Sequence, residues 1–97
     1  MRKFAFILMG KNYSKEHNTK FETGNSVTYV CTVNSFKDAR NKVLELEKEG
    51  VGAIELCGAF GKEKADEIIK LTNNKIAVGY VVHNPEQDEL FFNFFGN

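Results

Sequence analysis

From residue 26 onward the spacing of apolar residues alternates between two periods, and few folds accommodate that alternation. Residues 26–33 carry Val27, Thr28, Val30, Thr32 and Val33, a β-branched run with strand periodicity. Asn34-Ser35 then opens a segment in which Phe36, Ala39, Val43 and Leu46 recur at helical spacing. Lys37, Asp38, Arg40, Glu45 and Lys48 take its solvated side. Ser35 with Asp38 three residues on resembles a capping box, and Gly50 supplies the left-handed residue that ends a helix. A strand follows at 53–57. A second helix spans about 62–71, with Ala65, Ile68, Ile69 and Thr72 inward, and another strand spans 75–82. Two consecutive βαβ units imply parallel pairing.

Upstream, residues 3–9 are apolar on both faces, with Phe4, Phe6 and Leu8 on one side and Ala5, Ile7 and Met9 on the other. Such a strand is usually interior. Residues 10–25 are polar and turn-rich and read as a long connection. At the far end, Asn84-Pro85 starts a short helix with a stripe of Leu90, Phe91, Phe94 and Phe95. Phe92 lies off that stripe and points to a contact beyond the monomer. The expectation is one α/β domain over residues 1–97, with a small four-stranded, mainly parallel sheet and two to three helices. The direction of the first strand stays open, because its long connection allows either. The alternative is a ferredoxin-like α+β sandwich.

Apolar residues make up 42% of the chain, enough for a core, so disorder is disfavoured. Thirteen basic residues balance thirteen acidic ones, which leaves no net positive field for nucleic acid or an anionic membrane. The apolar stretch at residues 1–9 stops at Gly10, too short for a signal peptide, and no apolar run approaches the ~20 residues that span a bilayer. Cys31 and Cys57 lack metal-ligand spacing and do not suggest a disulfide framework, so both are expected as reduced thiols of a cytoplasmic protein.

The last two strands differ sharply between faces. Ile54, Leu56, Ile76, Val78, Tyr80 and Val82 are helix-packing side chains. The other face carries Ala53, Glu55, Cys57, Ala77, Gly79 and Val81, small apart from one carboxylate. Glycine inside a strand often marks close approach by a ligand or another backbone, and a carboxylate in an interior strand needs a partner, water or a proton. Ligands of open α/β sheets bind beyond the carboxyl ends of the strands. Glu55, Cys57 and His83 are therefore the candidate catalytic residues: Glu55 or His83 as base, Cys57 as nucleophile. Each has a plainer alternative: a strand carboxylate reaching water, a small buried thiol, a histidine near a cap. Lys11, Asn34, Gly58, Gly61 and Asn84 are the candidate ligand-binding residues at the same rim. Gly58 and Gly61 bracket a turn that lacks both the P-loop Lys-Ser/Thr and the full dinucleotide fingerprint. No motif names a cofactor, and no spacing marks a metal site.

Several stretches carry a resemblance that runs nearly end to end. These are Lys3-Phe4-Ala5-Phe6-Ile7, Phe21-Glu22-Thr23 with Asn25-Ser26-Val27, the core at 50–61, and Asn74-Lys75-Ile76-Ala77-Val78-Gly79-Tyr80-Val81. They continue through His83, Pro85-Glu86-Gln87 and Asp88 to the phenylalanine-rich tail. The chain resembles a family of small bacterial single-domain proteins classed as a domain of unknown function. That resemblance implies a compact domain and supplies no mechanism. Three readings follow: a small ligand-binding domain, an enzyme acting on a small metabolite, and a structural homo-oligomerisation module. A homodimer is expected, because two crossovers of one hand put both helices on one face and leave the small-residue face short of cover.

Overall fold

In the computed structural model, which describes residues 1–96, five strands form one sheet. They are β1 (Arg2–Met9), β2 (Thr19–Thr23), β3 (Ser26–Val33), β4 (Ala53–Leu56) and β5 (Ala77–Tyr80), arranged β2-β3-β1-β4-β5. Helices α1 (Phe36–Lys48), α2 (Gly61–Leu71) and α3 (Asp88–Phe95) complete the α/β fold, with single 3-10 turns at Lys15–His17 and Pro85–Gln87. β1, β3, β4 and β5 run parallel, which settles the direction of the first strand.

β2 is the difference from the expected four strands. It pairs antiparallel with β3 across a two-residue turn in which Gly24 adopts φ 57°. The turn residues Gly24-Asn25 were a readable hairpin signal. The strand was hidden because all five of its residues are exposed, so no apolar alternation marks it. The preceding loop is pinned to the sheet. Asn18 Oδ1 accepts the Thr32 amide at 2.6 Å, Thr32 Oγ1 donates to the Ser14 carbonyl at 2.9 Å, and Asn34 Nδ2 donates to the Tyr13 carbonyl at 3.1 Å.

Both helices bury their stripes against one face of the sheet. Ser35 Oγ accepts the Asp38 amide at 3.1 Å and starts α1. Gly50 at φ 92° ends that turn, and Asn73 and Asn74, at φ 55° and 59°, turn the chain out of α2. The core joins Ala39, Val43 and Leu46 of α1 and Ala65 and Ile68 of α2 to Ala5, Ile7, Tyr29, Cys31, Ile54 and Leu56 of the sheet. Each large aliphatic side chain so buried contributes about 1.5–3 kcal/mol. The step from β3 to β4 passes over β1, and the step from β4 to β5 continues the same way, so crossovers of one hand deliver α1 and α2 to the same side.

Among the described residues, the opposite face has no helix on it. Two rows of residues cross it in register. One is Thr19, Val30, Phe6, Glu55 and Gly79; the other is Phe21, Thr28, Phe4, Ala53 and Ala77. Residues 3–9 are apolar on both sides, yet only one side is buried: Ala5 and Ile7 are fully buried, while Phe4, Phe6 and Leu8 are half-buried. Nor does α3 cover this face, since none of its residues is buried.

Candidate functional site

The parallel strands bring their carboxyl ends to one rim, as expected. Gly10 donates to the Val33 carbonyl at 3.0 Å, Cys57 to that of Ile7 at 3.0 Å, and Val81 to that of Leu56 at 2.9 Å. Glu55 sits one residue before the end of β4, an interior strand between β1 and β5. Its carboxylate is exposed rather than buried, because the face it points from is uncovered. It lies flat on Gly79 of β5: a Cβ at Gly79 would strike Glu55 Oε1 and come within 2.9 Å of Cδ. Ala53 and Ala77 continue the low floor beside it, and Phe4 and Phe6 rise on β1 as its wall. The small residues therefore leave the Glu55 carboxylate room to lie across Gly79 on the open face.

Cys57 and His83 have separate partners. The Cys57 sulfur accepts the Met9 amide at 3.3 Å, standing where the next backbone acceptor of the β1–β4 ladder would stand. His83 lies beyond β5, which ends at Tyr80. Its Nε2 is 2.7 Å from Asp88 Oδ1, and its ring stacks on Phe91 at 4.0 Å and 8°. Among the described residues no hydrogen bond joins Glu55, Cys57 or His83 to one another. The sequence brought these three to one rim but carried no signal for their side-chain partners.

The five candidate ligand residues spread along that rim. Lys11 is exposed in the loop after β1; Gly58 and Gly61 bracket the turn into α2; Asn84 is exposed before the last 3-10 turn. Asn34 lines an open cleft of about 420 Å³ between the pinned loop and α1, together with Tyr13, Lys15, Asn18, Asn41 and Lys42. Glu55, Cys57 and His83 do not line that cleft. β3 and β5 lie three strand spacings apart, about 14 Å, so Asn34 and Asn84 follow strands that are well separated along the rim. Among the described residues no cluster of three or more His, Cys, Asp or Glu side chains could hold a metal ion, and no helix is long and apolar enough to cross a membrane.

Phe4, Phe6, Val30 and Phe21 escaped the sequence reading as site residues. For Phe4 and Phe6 the signal was the apolar residues on both sides of the first strand, which reads as an interior strand; Val30 lies in the alternation of β3, and Phe21 in a stretch that reads as a connection. In comparisons with known proteins, the model of one family matches residues 2–96: DUF6506, a family of unknown function. No curated protein and no solved structure matches.

Proposed function

The chain belongs to DUF6506, which supplies no activity to carry over, and we propose that it is a homodimeric small-molecule-binding domain whose ligand sits over Glu55 on the open sheet face. The observation that carries this reading is the Glu55 carboxylate lying exposed over Gly79, with the small side chains of Ala53 and Ala77 beside it. A side chain at Gly79 would displace it, so the pair leaves both a negative group and room above it. The fitting ligand has an apolar body for Phe4 and Phe6 and a cationic or hydrogen-bond-donating group for Glu55. The balanced net charge favours such a molecule over nucleic acid. The cytoplasmic setting expected from the sequence belongs to the same reading and is supported by two free thiols. An enzymatic reading with Glu55, Cys57 and His83 as one set has no contact among them to support it.

Native mass spectrometry of protein isolated from its own cells tests the proposal. A non-covalent adduct is expected on the wild type, lost in Glu55→Gln and in Gly79→Ala, whose Cβ forces the carboxylate aside. Both variants should keep wild-type circular dichroism, because the displaced atoms are the free end of a flexible side chain. An adduct that survives both substitutions sinks the site, and a wild type with no adduct sinks the ligand.

A further inference from the structure

Among the described residues, helix α3 packs on no strand or helix of its own chain beyond the turn that precedes it. Leu90, Phe91, Phe92, Phe94 and Phe95 are exposed at 63, 41, 65, 81 and 75%. The element it packs against is the 3-10 turn just before it. Even alanine-rich helices shorter than about 12–15 residues are marginal in water, and this one has eight. Its stability therefore needs a partner surface. The open sheet face, with Phe4, Phe6 and Leu8 on β1 and Val30 beside them on β3, is an apolar surface with nothing stacked on it.

The two surfaces agree in size. An eight-residue helix is about 12 Å long, and the apolar rows from β3 through β1 to β4 span about 10 Å. At about 200 Å² for a fully exposed phenylalanine, the helix shows roughly 600 Å² of apolar surface to water. Two such helices, each burying about half of that area against an equal area of the face it covers, remove roughly 1,200 Å², at the lower end of the 1,200–2,000 Å² of a stable interface. The helix is also aimed outward. The His83–Phe91 stack and the His83–Asp88 bond tie it to the segment that follows the end of β5. The chain measures 40 Å along its long axis against 27 and 24 Å across. Its radius of gyration is 13.9 Å, against about 12.5 Å for a compact domain of this length.

We propose that two copies of this chain exchange α3, each helix lying across the open face of the other copy. A two-fold axis makes the exchange reciprocal and closed. This rests on the dimer proposed above and states what roofs its site: the phenylalanines of one copy close over Glu55 of the other, so neither copy has a complete site alone.

Complementation between full-length variants tests it. One variant, Val30→Lys, spoils the receiving face; the other, Phe94→Glu, spoils the donated helix. In sedimentation equilibrium the wild type is expected at twice its 11.0 kDa chain mass. Each variant alone breaks both symmetric contacts, and its dimer dissociation constant should rise at least ~100-fold. Mixed in equal amounts, the variants should recover part of the lost association, because the intact helix of the first meets the intact face of the second while the other contact stays broken. Circular dichroism of each variant checks that it is folded, and Thr28→Lys replaces Val30→Lys if that variant is not. A Phe94→Glu protein that stays dimeric, or a mixture that associates no more tightly than either variant alone, overturns the exchange while leaving a dimer of another kind. A monomeric wild type overturns both.

Discussion

Cys31 lies inside the core and Cys57 at its margin, just past the end of β4, and their chemistry should differ for that reason. Cys31 faces the helices and is 4% exposed. Burial pushes its thiol above the ordinary value, with Lys42 pulling it down and Glu45 and Glu49 pushing it further up. Cys57 is half-buried at the open rim. In the folded protein near neutral pH, Cys57 should alkylate well before Cys31. Mass spectrometry after a timed pulse measures the order, and equal rates would mean that the core opens as readily as the rim. The raised Cys31 value also sets a sign. Below about pH 8.5 the thiol is protonated in folded and unfolded chains alike, so its contribution is intact. As pH rises past that point the unfolded chain ionises first, and stability is lost up to the folded value. Cys31→Ala should flatten that part of the alkaline decline; an unchanged slope would remove Cys31 as its cause. At this scale the sequence made residue types and strand ends legible, which brought Glu55, Cys57 and Gly58 to the rim. Partner choice was not legible. That the Met9 amide takes the Cys57 sulfur, or that Asp88 and Phe91 take His83, depends on side-chain placement beyond what spacing encodes.

At the scale of elements, periodicity found what is half-buried and missed what is not. β3 begins and ends where the alternation does, and α1 starts at the Ser35 cap and stops before Gly50. β2 has no buried side and therefore no apolar period, although its turn residues were in view. The loop before it was expected as a plain connection, and it is instead tied down by side chains whose targets lie 14 to 21 residues away. Asn18 is the strongest of these ties. Its Oδ1 takes the amide of Thr32, which is 7% exposed and sits where the edge strand leaves the ladder. Removing an acceptor from a partly buried amide costs about 1–3 kcal/mol. Asn18→Ala should lower the unfolding free energy in urea by that amount and leave the slope with denaturant unchanged. A loss below about 0.5 kcal/mol would mean that water replaces Asn18 freely and that the loop is not anchored there.

At the scale of the whole molecule, one sheet face has its helices and the other does not. Residue size told the two faces apart: Ile54, Leu56 and Ile76 are buried under the helices, while Ala53, Glu55 and Ala77 lie in the open. What the sequence did not convey is that the last helix leaves the body, since an amphipathic stripe specifies that a helix needs an apolar surface and not whose surface it is. A domain of about this size buries only somewhat more than 60% of the surface its unfolded chain exposes, so an uncovered face weighs heavily on its stability. If a second copy covers it, folding and association are one equilibrium, and the melting temperature must depend on concentration. Raising the concentration 100-fold, from about 1 to about 100 µM, favours the dimer by about 2.7 kcal/mol. Shared between two chains whose unfolding entropy is about 0.2 kcal/mol/K each, that should raise the midpoint by about 5–10 °C. The Phe94→Glu variant, held monomeric, should melt at one temperature across the same range and below the wild type at the upper end. A wild-type midpoint that stays level over the whole range would mean that the open face is stable in water by itself, and the case for a covering partner would fail with it.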